Sequence, residues 1–220
     1  MKQLTRTISL ASLALLLIYF ESCLQEKFIP DPADPRLPKY TECGNEVAGA
    51  LINNVAWKSE FFVGFDNPSI DPCYLTNYIS GDSATIEFVG ECNQGPSKGS
   101  PISFLVSLPN FQIPAINDLT RLSGQTFTID GTKNAVRIVD YFKVINSRKK
   151  VFKGGSGELT IIKIKPISNV TIGGSNGAAS YHPMIMAGTF KFNFNADTVK
   201  IESGRFDFEI YDDDYRLIKN

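Results

Sequence analysis

From about residue 44 to the end of the chain, apolar and polar residues alternate with a period of two, and this pattern constrains the fold more than any other feature. The segment GTFKFNF (188–194) puts Phe190, Phe192 and Phe194 on one side and Lys191 and Asn193 on the other. Such alternation is typical of strands with one buried face. Glycine-rich turn clusters separate the alternating runs, and no internal window of a dozen residues keeps a helical period. The sequence therefore predicts a chain of strands with little helix.

The last thirty residues contain a change of parity. Val199 and Ile201 stand at odd positions, whereas Phe206 and Phe208 stand at even ones. A shift of one residue turns every following side chain to the opposite face of a strand. The Ser-Gly pair at 203–204 lies where the parity changes, which predicts a β-bulge that returns the phenylalanines to the core. We expect this terminal hairpin to be structural rather than catalytic.

Length and composition set the scale of the fold. The 220 residues are enough for one compact core or at most two small domains. Sixteen phenylalanines and eight tyrosines favour strands. We predict an all-β fold, an antiparallel sandwich or closed barrel of roughly eight to twelve strands, as a single domain over residues 41–220.

The N-terminus has the features of an export signal. Lys2 and Arg6 precede an apolar run of 13 residues (8–20), which suits a signal peptide and is too short to span a membrane. Ser22 and Cys23 follow, and a small residue before a cysteine resembles the lipoprotein signal, in the relaxed form typical of the Bacteroidota. We expect residues 1–22 to be a lipoprotein signal peptide and Cys23 to be lipidated. The alternative is ordinary cleavage nearby, with Cys23 left as a thiol.

Residues 23–40 are rich in proline. Four prolines fall within nine residues (Pro30, Pro32, Pro35 and Pro38). Proline lacks the backbone N–H that helices and inner strands need, and it favours extended polyproline backbone. The composition predicts a semi-rigid stalk between the lipid and the domain.

Three cysteines remain beyond the stalk: Cys43, Cys73 and Cys92. Export to an oxidising compartment favours one disulfide and one odd thiol. If strands 74–80 and 83–89 turn back at 81–82, Cys73 faces about residue 90, close to Cys92. We therefore predict a Cys73–Cys92 disulfide, which would stabilise the fold by about 3 kcal/mol. Pairings with Cys43 stay open.

The candidate sites for chemistry or binding are few. The net charge of -1 argues against a nucleic-acid partner, and one histidine leaves little for a metal site or a cofactor. Tyr74 and Tyr78 lie four residues apart, so on one strand face they could form an aromatic platform for a ligand, although we favour a place in the core, which is normal for aromatics in sandwiches.

A hydrolase is the enzymatic alternative. Ser175 lies in a G-x-S-x-G match, but no strand-turn-helix pattern surrounds it. Asp207 and Glu209 share a strand face, which we expect to be its solvent side. No catalytic residue is predicted.

Two segments carry a further resemblance. In 37–60 the pattern is G-x-(hydrophobic)-x-N-x-x-x-W, and near the end it is G-T-F-x-F … I-x-x-G-x-F-D. The matching positions are Gly49, Leu51, Asn53, Trp57, Gly188, Thr189, Phe190, Phe192, Ile201, Gly204, Phe206 and Asp207. Both segments resemble a group of Bacteroidota lipoproteins of unknown function, over about a fifth of the chain. The resemblance implies an all-β, lipid-anchored domain with no known catalytic residues.

Taken together, these features predict a non-catalytic lipoprotein of the outer membrane or cell surface. Its expected partners are the membrane, through the lipid, and a glycan or an envelope protein. A lipocalin-like barrel that encloses a small apolar ligand is the alternative, and a hydrolase is the less favoured one.

Overall fold

The computed structural model describes the chain from residue 28, with internal gaps. The described residues are 28–59, 62–64, 67–70, 73–78, 83–92, 94, 101–109, 113, 115–131, 134–140, 150–168, 170–174, 177–194, 198–211 and 215–218. The predicted signal peptide (1–22) and Cys23 lie outside them.

Within these residues the chain forms sixteen strands and one 3-10 helix (Ile116–Leu122). In chain order the strands are β1 (Val47–Ile52), β2 (Val55–Lys58), β3 (Phe62–Gly64), β4 (Asn67–Ile70), β5 (Cys73–Tyr78), β6 (Ser83–Cys92), β7 (Pro101–Pro109), β8 (Gln125–Ile129), β9 (Ala135–Asp140), β10 (Lys150–Phe152), β11 (Ser156–Pro166), β12 (Val170–Gly174), β13 (Gly177–Tyr181), β14 (Met184–Phe194), β15 (Val199–Ile210) and β16 (Tyr215–Ile218).

Twelve of these strands belong to one sheet that curls into a half-barrel. Its order is β10-β9-β7-β6-β2-β1-β15-β14-β11-β8, and β5 joins it beside β6. Every pairing along this path is antiparallel, and β16 alone pairs in parallel, with β5. Two small pairs, β3-β4 and β12-β13, lie apart from the sheet. The all-β prediction is confirmed.

The two ends of the sheet meet at a corner, which we call the seam (129–131, 134–135 and 152–156). Only five residues separate β8 from β9, and three separate β10 from β11. A Cβ added to Gly155 would stand 2.6 Å from Val136 of β9 and 2.7 Å from Phe194 of β14. The absence of a side chain at Gly155 therefore lets strands from opposite ends of the sheet approach each other.

Aromatic rings fill the core. The ring of Phe88 lies 5.4 Å from that of Phe190 and 5.0 Å from that of Phe206. Trp57 and Phe104 approach to 4.5 Å, and the Trp57 indole N–H donates to the carbonyl of Ile102 at 3.1 Å. Offset and tilted ring pairs at these distances add to the free energy gained from burial.

The β14-β15 hairpin contains the expected bulge. Phe190 pairs with Gly204, but Phe192 pairs with Ile201, so β15 carries one extra residue between them. Ser203 has a φ of 55°, the left-handed conformation that a bulge uses. The phenylalanines of both strands are buried. The predicted slip at 203–204 is confirmed.

Residues 28–40, which we call the strap, fold back on themselves. Pro30 forms an isolated antiparallel bridge with Pro38. The backbone N–H of Asp31 donates to the carbonyl of Leu37 at 2.9 Å, and Leu37 is fully buried. These contacts make a compact hairpin rather than an extended chain.

The strap also packs on the sheet. Pro38 lies so close to β1 that a Cβ on Gly49 would stand 2.2 Å from it. Asp31 forms an ion pair with Arg205 of β15 in which both side chains are 17% exposed, and Arg36 donates to the carbonyl of Asn54 at 2.9 Å. The prediction of a stalk over 23–40 is therefore wrong for residues 28–40, because Leu37 and Asp31 find partners on the domain. The folded unit includes the strap.

Candidate functional site

Asp207 is buried in a group of hydrogen-bond donors, which we call the clamp (residues 41–45 with Asp207). The side chain is 2% exposed. The Thr41 hydroxyl donates to Oδ2 at 2.5 Å, and the amides of Cys43 and Gly44 donate to the two oxygens at 3.1 and 2.8 Å. The amide of Asn45 adds a fourth contact at 3.3 Å. The clamp thus fixes the loop before β1 onto β15.

This burial corrects the expectation that Asp207 faces solvent. The strand face is as predicted, but residues 41–45 cover it. Glu209, two residues along the same face, is half-buried, and its backbone N–H donates to Glu46 at 2.7 Å. The two acidic residues considered for a hydrolase therefore lie in different surroundings, and the oxygens of Asp207 are occupied by the clamp.

A second polar chain lies beside the clamp. Lys163 of β11 contacts Glu42 Oε2 at 2.5 Å, and Glu42 Oε1 accepts from the Tyr40 hydroxyl at 3.2 Å. The bond from Lys163 lowers the pKa of Glu42. Burial, with the carboxyl groups of Glu42 and Asp207 nearby, raises the pKa of Tyr40. The phenol therefore stays protonated at neutral pH and remains a donor.

A cleft of about 280 Å³ lies over the bulge, and we call it the bulge cleft. Its polar lining comes from the strap, β11, β14 and β15: Tyr40, Glu158, Thr189, Lys191, Ser203 and Arg205. Lys191 and Glu158 form an ion pair at 2.9 Å. Ser203 and Gly204 of the β15 bulge are part of this lining.

A larger cleft of about 430 Å³ lies at the seam, and we call it the seam cleft. It combines the hydroxyls of three residues with two cations: Ser83, Thr85, Ser107, Arg137 and Lys153. Thr85 and Ser107 contact each other across β6 and β7 at 3.4 Å. No carboxylate stands among the described residues that line it. The seam cleft is therefore positively charged and rich in hydroxyls.

Residues of β5 lie next to the β6 residues that line the seam cleft. Thr76 lies opposite Thr85, which lies opposite Ser107. Tyr74 lies opposite Glu87, and Tyr78 lies opposite Ser83. Directly paired residues occupy the same face of a sheet. The two tyrosines of the predicted platform thus hold positions in the rows that lead to the seam cleft.

The cysteines do not take the predicted arrangement. Cys73 lies opposite Phe88 rather than residue 90, since four residues separate β5 from β6. Cys92 is four residues further along β6, roughly 13 Å at ~3.3 Å per residue. A disulfide needs Cα atoms within about 7 Å. The structure therefore does not bring Cys73 and Cys92 together.

Two other sequence predictions fall outside the described residues: Cys23 and Ser175. Among the residues that are described, no group of three or more His, Cys, Asp or Glu side chains is arranged to hold a metal ion. The described part of the chain also contains no helix with the length and apolar character to cross a membrane.

Comparisons with protein-family models, curated proteins and solved structures give no match to this chain. A functional assignment therefore rests on the chemistry of its clefts and not on relatedness.

Proposed function

We propose that the chain is a non-catalytic lipoprotein of the cell envelope, anchored by a lipid on Cys23, whose β domain binds an acidic glycan in the seam cleft. The binding role is inferred from one observation: cations, hydroxyls and tyrosine positions lie near one another on one face of the sheet. Arg137 and Lys153 supply charge, while Ser83, Thr85 and Ser107 supply short donors and acceptors. Acidic sugars carry carboxylate or sulfate groups beside many hydroxyls, so both kinds of group find partners here.

The size of the seam cleft fits this ligand class. At about 430 Å³ it lies within the ~300–1,000 Å³ range of small-molecule sites. On the side of β6 away from β7, the position of Tyr78 lies opposite Ser83 of the cleft, and the position of Tyr74 lies opposite Glu87, two residues beyond Thr85. An oligosaccharide is long enough to use the cleft and the tyrosine positions together.

The packing of the interior supports a surface site over an enclosed one. A half-barrel is compatible with lipocalin-like binding. However, the described phenylalanines contact one another in the core, as in the pair of Phe88 and Phe190 at 5.4 Å. Rings packed together in the interior therefore favour a binding site on the outer face of the sheet.

The binding role is tested with the purified mature protein on an array of acidic and neutral glycans. We expect acidic glycans to bind, and the double variant Arg137→Gln with Lys153→Gln to weaken binding at least tenfold, because it removes both charge-assisted contacts. The matched control is Lys165→Gln, an exposed lysine of β11 outside both clefts, which should bind as the parent does. Equal binding by the double variant would refute the seam cleft as the site.

The anchor is tested by mass spectrometry of the N-terminus after extraction from membranes. We expect Cys23 as the first residue, with a mass increase from acyl chains. An unmodified Cys23, or a mature chain that begins elsewhere, would overturn the anchor.

A further inference from the structure

The bulge cleft has no part in the proposed function, yet its lining is highly organised. It lies on the strap side of the sheet, over the β14-β15 bulge. A Cβ on Gly204 would stand 2.4 Å from the carbonyl of Phe190, so glycine keeps the two strands close beneath it. Ser203 and Thr189 are exposed in the opening.

Each long side chain of the cleft contacts a partner. Tyr40 is held through Glu42, which in turn contacts Lys163 at 2.5 Å. Lys191 contacts Glu158 at 2.9 Å, in an exposed ion pair whose side chains are 64% and 45% accessible.

The third long side chain, Arg205, is held by Asp31 of the strap, in an ion pair where both side chains are only 17% exposed. Side chains that are already ordered lose little rotamer freedom when a ligand binds. Tyr40 and Arg205 are therefore already positioned for a ligand, as loose surface side chains are not.

The charge of this lining distinguishes it from the seam cleft. The two cations, Lys191 and Arg205, both stand beside a carboxylate, and at the less exposed of the two pairs an anion would have to compete with Asp31 for Arg205. What remains is a set of donors and acceptors without net charge, with the hydroxyls of Thr189 and Ser203 and the ring of Tyr40. This set matches a neutral ligand that has hydroxyls on its edge and a C–H face.

We propose that the bulge cleft binds a neutral sugar ring, with Tyr40 against the C–H face and the Lys191–Glu158 pair and Thr189 bonded to the hydroxyls. Its volume of about 280 Å³ is just below the range of drug-sized sites, which limits it to one small ring at a time. An aromatic ring with a polar tip serves such a ligand because one side is apolar and the other is wet. This site is independent of the seam cleft and of the lipid anchor.

In the experiment, the purified mature protein is titrated with the neutral methyl glycosides of glucose, galactose and mannose. Binding is measured by saturation-transfer NMR. We expect at least one of them to bind. Thr189→Val keeps the shape of an exposed side chain but removes its hydroxyl, and Lys191→Gln removes the ion pair. Each should weaken binding about three- to tenfold, the effect of losing one hydrogen bond.

Tyr40→Ala should weaken binding at least tenfold, and Tyr40→Phe should retain part of it through the ring. The controls are Lys165→Gln and the seam variant Arg137→Gln, which should bind the glycosides as the parent does. Since Thr189 and Lys191 are exposed, their variants remain informative even if Tyr40→Ala fails to fold.

Two results would overturn the proposal: no binding of any of the three glycosides, or binding that is unchanged in both Thr189→Val and Lys191→Gln. Loss of acidic-glycan binding in the seam variants alone would concern the proposed function and leave this site standing. Neutral binding that disappears in Arg137→Gln would place the sugar at the seam and refute the bulge cleft.

Discussion

The bulge side of the molecule and the seam close the same fold by different means. On the bulge side, the strap and the clamp cover β15 with ion pairs and hydrogen bonds, centred on Arg205 and Asp207. At the seam, two short turns and the bare backbone of Gly155 bring apolar side chains into contact. The stability of the bulge side depends on polar partners that are distant in the chain. The packing at the seam depends on the absence of a side chain at Gly155. Substitutions should separate the two dependences.

The largest effect is expected at the clamp. Asp207→Ala would leave the Thr41 hydroxyl and the amides of residues 43–45 without their acceptor. An unsatisfied buried donor costs about 1–3 kcal/mol, so we expect the free energy of unfolding to fall by about 3 kcal/mol or more. Chemical denaturation measures the change.

The matched control for the clamp is Glu209→Ala on the same strand face. Its hydrogen bond to Glu46 uses the backbone N–H, which the substitution keeps. The unfolding free energy should change by less than about 1 kcal/mol. Equal losses in the two variants would show that the clamp adds nothing specific to stability.

A smaller effect is expected at the seam. Gly155→Ala places a methyl group 2.6 Å from Val136 and 2.7 Å from Phe194. Overpacking of this kind costs about 1–3 kcal/mol. Gly154→Asn is the control, because position 154 has open space and a φ of 73° that asparagine tolerates. Chemical denaturation measures the free energy of unfolding of both variants. A Gly155→Ala variant as stable as the parent would mean that the seam is loosely packed.

The smallest effect is a local response of the strap to acid. The amide of Ala33 and the side chain of Arg205 hold the pKa of Asp31 below its usual value, and Arg36 does the same for Asp34. Groups with a lowered folded pKa stabilise above their unfolded value of about 3.9 and lose that contribution as pH falls through the folded pKa. We therefore expect the strap to loosen only below about pH 4.

Amide chemical shifts followed by NMR from pH 7 to pH 3 test this response. The signals of residues 28–40 should move before those of β7, since the acid-sensitive contacts lie on the bulge side. Asp31→Asn should remove the part of the transition that comes from the pair with Arg205. Strap signals that stay constant to pH 3 would contradict the role of these carboxylates.

Features that depend on neighbours in the chain could be predicted from the sequence. The alternation in β14 and β15 and the Ser-Gly pair at 203–204 specify the face, the hairpin and the bulge. Alternation is a local property, because side chains two residues apart share a face whatever lies opposite.

Features that depend on distant partners could not be predicted. The hydroxyl of Thr41 and its acceptor on Asp207 are 166 positions apart, and the residues around Asp207 do not indicate that a distant loop covers its carboxylate. The prolines of residues 28–40 predict a stalk, because the sequence does not show that Pro38 packs against Gly49 of β1. The cysteine pairing was misplaced by two residues, because the sequence shows a turn but not its length.

The folded strap also sets the reach of the protein. An extended stalk over 23–40 would have spanned up to ~56 Å, at ~3.1 Å per residue. With residues 28–40 docked, five residue steps separate Cys23 from Phe28, a distance of at most ~18 Å. A lipid on Cys23 would therefore hold the domain next to the bilayer. The two clefts would then be accessible only to ligands that lie within about one domain diameter of the membrane surface.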